Sequence, residues 1–252
     1  MKIIVSVKQV PARDSVLKVN ASGKWLEESD LSFEMNEPDA YALEEALQLK
    51  EKLGGEVVVL SAGGERVAQT IREALAKGAD RAIHVAVDDA GALDALATAH
   101  ILAKALEGES PDLILTGLQS DDLGYGQTGV VLAELLGFAH ATIVMEVEPL
   151  GTTVRVKREL EDGWFQNVVL PLPAVLTIQS GIKKLRYATL MGIKKAKTKE
   201  VKTIAAAPEK SSAHIDKVYL PQRSKQSQIL KGDPKDVAKQ LVEKLKFEAR
   251  VI

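Results

Sequence analysis

Gly124, Gly126 and Gly129 stand at the spacing G-x-G-x-x-G, in the stretch GYGQTG. That spacing can bring a backbone close to a pyrophosphate and aim the first amides of a helix at it. The run before it, DLILTG, reads as a strand, and the run after it, VVLAELLG, reads as a helix. A dinucleotide fingerprint, however, puts its first glycine in the tight turn directly after the first strand. Here the strand ends near Gly117, LQSDDL intervenes, and the motif belongs to the fourth strand of the pattern. The glycine spacing alone is weak support for a dinucleotide enzyme.

The longer connection, GLQSDDLGYGQTG, says more. Its amides at the helix start suit a phosphate, with Gln127 and Thr128 donating beside the backbone. Asp121 and Asp122 would repel a phosphate, and fit a ribose hydroxyl, an orienting role or plain solvation instead. A glycine-rich connection without a ligand is the other reading. In a doubly wound sheet, ligands sit outside the carboxyl ends of the strands. Those ends carry Ser6, Val7 and Lys8, then Ser61, Ala62 and Gly63, while MNEP (35–38) opens the first helix nearby. Small residues at strand tips admit a flat base and a sugar, so their joint placement favours a mononucleotide.

Reactive groups do not stand out. No G-x-x-x-x-G-K-[S/T] loop and no Ser-His-Asp arrangement is visible. His84 falls in a strand pattern and His100 in a helix, where a structural histidine is the ordinary reading. The chain has 252 residues, no cysteine and four histidines, so disulfides, thiolate chemistry and a histidine-rich metal site are not expected. A net charge of −2 supplies no general attraction to nucleic acid or anionic lipid, although Lys183 to Lys202 is locally basic. No apolar run approaches the ~20 residues of a membrane span. The first residues, MKIIVSVKQ, already read as a strand, which leaves no room for a signal peptide and makes a cytoplasmic protein the expectation.

The elements that must position the loop follow from periodicity. KIIVSV, EVVVLSAGG, RAIHVAV, DLILTG and PAVLTIQ read as strands of Val, Leu, Ile and Ala. Helical patterns at MNEPDAYALEEALQLKEKLGG, ERVAQTIREALAKGAD and LDALATAHILAKALE lie between them, with Asn36 or Asp39 able to cap the first. This alternation predicts an α/β, doubly wound, mostly parallel sheet of Rossmann-like type. HATIVMEVE, TVRVKREL and WFQNVVL, divided by PLGT and EDG, predict an antiparallel meander. The organisation expected is a core over 1–182 including the hairpin region 140–171, an aperiodic basic loop over 183–203, and an arm over 204–252. That arm ends in an amphipathic helix near PKDVAKQLVEKLKFEA and is too polar to pack as its own domain.

At the meander the sequence becomes specific. VKRELEDGWFQNVVLPLPAVLT, 156–177, resembles the signature of electron transfer flavoprotein beta subunits. The matched positions are Val156, Arg158, the Glu161-Asp162-Gly163 turn, Gln166, Val168, Pro173 and Val175 to Thr177. VKQVP, MNEPDAYALEEALQLKEK, TIREALAKGADRAIHV, QTG and RYATL with KKAK resemble the same family in order, over nearly the whole chain. In that family the matching element of the glycine loop is QTG, so Gly124 and Gly126 complete the fingerprint by accident.

The resemblance implies an electron carrier rather than an enzyme. It implies a heterodimer whose alpha subunit holds most of an FAD, with a structural AMP in this chain. Matched by motif, the AMP contacts would be Ser6, Asn36, Glu37, Pro38, Asp39 and Ala62. The loop would add Ser120, Asp121, Asp122, Leu123, Gly124, Tyr125, Gly126, Gln127, Thr128, Gly129, Val130 and Val131. Arg13 and Pro38 stand where family members often place an aromatic near the flavin. KKLRYATLMGIKKAKTK resembles the loop that docks acyl-CoA and related dehydrogenases, with Leu190 as anchor and Tyr187, Lys194 and Lys195 around it. A membrane quinone oxidoreductase or another acceptor would take the electrons, as in fatty acid β-oxidation. The arm would pack on the alpha subunit. The alternatives are a bifurcating relative with a second FAD in place of AMP, a nicotinamide-dependent oxidoreductase, and a stand-alone nucleotide-sensing domain.

Overall fold

The computed structural model describes residues 1–88, 91, 93–221 and 227–252. Two compact units emerge, Met1–Val218 and Tyr219–Ile252.

The first unit is built on a nine-stranded sheet. β1 (Lys2–Ser6), β4 (Glu56–Gly63), β5 (Arg81–Ala86), β6 (Leu113–Gly117) and β10 (Ala174–Ile178) carry the apolar runs read from the sequence. With β7 (Ala139–Leu150), β8 (Thr153–Glu159), β9 (Phe165–Pro171) and β11 (Val201–Ala205), the order is β11-β5-β4-β1-β6-β10-β7-β8-β9. Pairings from β11 to β7 are parallel, and the β7-β8-β9 meander is antiparallel.

Both faces are covered, as a parallel sheet requires. Ile3, Val5, Val57 and Val59 face one core, shared with α1 (Glu37–Leu53) and α2 (Ala68–Lys77). Ile4, Val58, Leu60 and Ile114 face the other, shared with α3 (Ala95–Ala105) and α4 (Thr128–Leu136). The period-two alternation thus feeds two layers of helix, which is the doubly wound arrangement predicted.

The meander is aimed by a break in β7. Its first residues, Ala139 to Ala141, pair parallel with Ala174 to Leu176, and Val144 onward pairs antiparallel with β8. Between them Ile143 takes a φ of 58°, a costly conformation for a β-branched residue. Arg158 braces this point, donating from Nε to the Thr142 carbonyl and from Nη2 to Thr142 Oγ1, both at 2.9 Å. Its Nη1 reaches Gln166 Oε1 at 3.2 Å, so the spaced Arg and Gln of the sequence signature meet across β8 and β9. Asp162 and Gly163, both with positive φ, make the turn.

Four elements lie where the sequence shows no periodicity. β2 (Gln9–Pro11) and β3 (Phe33–Met35) form a small antiparallel pair within the polar stretch after β1. In the basic stretch, α5 (Leu190–Ala196) packs toward α2, and β11 extends the sheet beside β5. The second unit contains α6 (Pro234–Phe247), capped by Asp233, with no buried residue along its length.

Candidate functional site

β1 lies between β4 and β6; α1, on the connection into β4, packs on one face of the sheet, and α3, on the connection into β6, packs on the other. At such a switch point the connections diverge and leave a cleft. A cleft of about 850 Å³ opens here, lined by Ser6, Lys8, Ala62, Gly63, Thr116, Gly117 and the loop after β6.

Asp39 holds the floor. In the first turn of α1, its Oδ2 accepts the Lys8 N–H at 2.7 Å and its Oδ1 the Gly117 N–H at 2.8 Å. One carboxyl therefore ties the tips of β1 and β6, which part beyond this point. Burial pushes it up to about 7, against the Lys8 and Gly117 amides, Asn36 and the Lys8 charge, which favour the ionised form. Gly117 is glycine for contact reasons. A Cβ there would lie 2.7 Å from Pro38 Cβ and 2.8 Å from the Asp39 nitrogen.

Asn36 fastens the loop instead of capping α1. Its Nδ2 donates to the Gln119 carbonyl and its Oδ1 accepts the Asp121 N–H, both at 2.9 Å. The capping role passes to Asp121, whose Oδ2 accepts the Glu37 N–H at 3.3 Å from 84 residues away in sequence. Arg13 stands beside the same carboxylate at 3.4 Å and also pairs with Glu37. Asp122 Oδ1 takes Lys8 Nζ at 2.6 Å. The two aspartates that would repel a phosphate are thus each matched by a cation.

The glycines of GYGQTG divide by role. Gly124 and Gly126 have φ of +64° and +63° and an added Cβ would make only ordinary contacts, so they serve the turn. Gly129 is different: a Cβ there would lie 2.6 Å from Thr177 Cγ2 and 2.7 Å from Thr116 Oγ1, so it sets α4 against β6 and β10. The N-terminus of α4 carries no side-chain cap. Its first amides have no carbonyl partner within the helix and point along the positive end of the helix dipole.

Of the residues singled out from the sequence, Ser6, Asn36, Asp39, Ala62, Ser120, Asp122, Leu123, Tyr125, Gly126, Gln127, Thr128 and Gly129 line the cleft. Glu37, Pro38, Asp121, Gly124, Val130 and Val131 stand behind it, Pro38 buried and Val131 against the second core. The sequence reading missed an opposite wall of Trp25, Phe33 and Arg66, with the guanidinium carbon 3.7 Å from the Phe33 ring centre. In a chain with 4% aromatics, two of them in a loop-like stretch were the signal. His214 and Ile215 also reach the cleft. Asp94, whose side chain caps α3 through the Ala97 N–H at 2.8 Å, draws this segment in through the Ser212 and Ala213 N–H groups.

His84 Nε2 lies 2.8 Å from the Gly63 carbonyl, a structural contact. Among the described residues no group of three His, Asp or Glu is placed to hold a metal ion. A family model described as the electron transfer flavoprotein domain matches residues 24–209. The chain belongs to the electron transfer flavoprotein family, with its beta subunits.

Electron transfer flavoprotein beta subunits match it along most of their length. That of Bradyrhizobium diazoefficiens is 40% identical, with all of both chains covered. That of Methylophilus methylotrophus is 37% identical over 91% of this chain and 92% of its own. The human one is 39% identical, covering 81% of each. Membership in an electron transfer flavoprotein family carries an electron-transfer role and association with flavin and an alpha subunit. Among the described residues, no helix is long and apolar enough to cross a membrane. In this flavoprotein chain the residues proposed for docking sit on α5 and just before it. Tyr187 and Leu190 are 92% and 82% exposed, and Lys194 and Lys195 are exposed beside them.

Proposed function

We propose that this chain is the beta subunit of a heterodimer carrying electrons from acyl-CoA and related dehydrogenases to a quinone oxidoreductase or another acceptor. In this reading the alpha subunit holds most of an FAD, and the cleft of this chain holds AMP. The observation that carries it is the uncapped start of α4 facing a cleft whose loop acids, Asp121 and Asp122, are already paired. A phosphate can meet the α4 amides, Gln127 and Thr128 with the two loop aspartates already held by Lys8 and Arg13. The small tips at Ser6 and Ala62 leave room for the nucleoside, while Asn36 and Asp39 hold the loop from behind. Bound FAD supplies the electron-carrying chemistry. On this chain Arg13 is the exposed residue available to it, since Pro38 is buried. The exposed Leu241, Val242 and Phe247 of α6 support the reading of the arm as a surface that packs on the alpha subunit.

The test is to purify the chain with its alpha subunit, denature the complex and quantify the released nucleotides. One FAD and one AMP per heterodimer is expected. Two FAD and no AMP would transfer the chain to the bifurcating class, and NAD without flavin would overturn the reading.

Leu190→Ala is expected to slow reduction by an acyl-CoA dehydrogenase on the order of tenfold at sub-saturating concentration. Nucleotide content should not change. An anchor of this kind, rimmed by charge, gives a specific contact that still releases quickly. Unchanged reduction kinetics would remove Leu190 from docking.

A further inference from the structure

We propose that Arg186 is a positioning residue for partner docking: held by Glu44 and Glu51 of α1, it fixes the frame from which Leu190 is presented. The inference rests on the docking role of Leu190 given above and assigns a new role to residues that do not touch the partner.

The grip is two-handed. Arg186 Nε and Nη2 lie 2.9 and 3.1 Å from the two oxygens of Glu44, and its backbone N–H donates to the same carboxylate at 3.2 Å. Its Nη1 and Nη2 reach Glu51 at 2.5 and 3.2 Å. Three residues earlier, Lys183 Nζ is 3.4 Å from Glu45 Oε2. Glu44 and Glu45 are both buried on α1, an expensive place for carboxylates unless they are paired. A solvated basic linker would not need two of them. A cavity of about 530 Å³, bordered by Gln48 and Val147, lies beside the grip, and Ile182 and Ala188 pack against the first core on either side of it.

A second hold follows Leu190. Gly192 lies so close to the Ala76 carbonyl of α2 that any side chain would collide with it. Lys199 Nζ donates to the Leu75 carbonyl in the last turn of the same helix at 2.9 Å and to that of Ala79 just beyond its end. Between the two holds, Tyr187, Leu190 and Met191 project into solvent, each at least 66% exposed. An anchor on a loose segment would lose backbone entropy on docking, roughly 1–2 kcal/mol per residue fixed. An anchor already fixed avoids that loss. The guanidinium suits the task because its planar fork meets carboxylates in two-point contacts that an ammonium cannot copy.

The experiment uses heterodimers carrying Arg186→Ala, Arg186→Lys, Glu51→Gln or Leu190→Ala. Two quantities are read: amide hydrogen exchange over residues 187–192 without a dehydrogenase, and reduction by an acyl-CoA dehydrogenase across flavoprotein concentration. Arg186→Ala should speed exchange about tenfold and raise the half-saturating concentration about fivefold, leaving the limiting rate within about twofold. Arg186→Lys should restore little of either. Arg186→Ala combined with Leu190→Ala should be no worse in half-saturation than Leu190→Ala alone, because the grip acts through the anchor. Glu51→Gln removes only the exposed half of the grip, so it covers failure of Arg186→Ala to fold and should shift both readouts the same way by less. Unchanged exchange overturns the grip. Faster exchange with unchanged half-saturation overturns its role in docking. If Leu190→Ala itself leaves half-saturation unchanged, the docking role fails, and the positioning role falls with it even where exchange has quickened.

Discussion

Asp39→Ala is expected to cost about 2–4 kcal/mol at pH 5 and to empty the nucleotide cleft. The substitution leaves two backbone donors, Lys8 N–H and Gly117 N–H, buried without their acceptor, at about 1–3 kcal/mol each. Alanine is a good helix former, so α1 itself should survive. The damage falls on the tips of β1 and β6, which lose their common tie where the chain connections diverge. The pH dependence has a definite sign. In the folded chain the carboxyl holds its proton up to about 7, whereas in the unfolded chain it loses it near 3.8. Between those values the native state binds more protons, so stability from this group is full below the lower value and falls as pH rises through the higher. The gap between the parent and Asp39→Ala should therefore narrow from pH 5 to pH 8. Urea unfolding at the two pH values measures it, and a gap that widens with pH would contradict the burial argument.

Gly129→Val should be nearly as damaging, with the loss concentrated in binding. Its Cβ would meet Thr177 and Thr116 at under 3 Å, so α4 must shift away from β6 and β10. Overpacking of this kind costs roughly 1–3 kcal/mol. The shift also moves the amides proposed to meet the phosphate, and nucleotide retention should fall at least about tenfold. Gly124→Asn is the contrasting variant. It keeps a residue tolerant of positive φ where a Cβ meets no close neighbour, so stability should stay within about 0.5 kcal/mol and the nucleotide should remain. Released nucleotide per heterodimer, with thermal midpoint, separates the cases. Equal loss in both variants would give all three glycines one role and restore the fingerprint reading.

The parallel core was legible because both faces of β1, β4 and β6 are apolar, and such runs announce buried strands. The meander was legible through alternation and the Asp162-Gly163 turn. β11 was not, since four of its five residues are exposed and what makes it a strand is the edge of β5. α5 was hidden for a similar reason: only Ala196 is buried, and its fit to α2 depends on the absence of a side chain at Gly192. At the site, residue types at strand tips pointed to the region where the cleft opens. Their bonding was out of reach. Asp121 caps a helix that begins 84 residues earlier, and Glu44 meets Arg186 across 142 residues, so no local pattern could reveal either. Acids on a helix read as solvated until the distant cation is known.

The position of β10 bears on how the chain is made. β1, β4, β5 and β6 pair among themselves, and β7, β8 and β9 pair by local hairpins that close quickly at small entropic cost. β10 is synthesised after all of these, yet it lies between β6 and β7 and hydrogen-bonds to both. Until Ile178 has left the ribosome, the sheet exists as two halves, each with a bare edge of unpaired amides and carbonyls. Such edges invite pairing with other nascent chains. A chain that ends before residue 174 would leave both inner edges exposed and prone to aggregation, whereas the arrival of β10 joins the halves and covers both edges in one step.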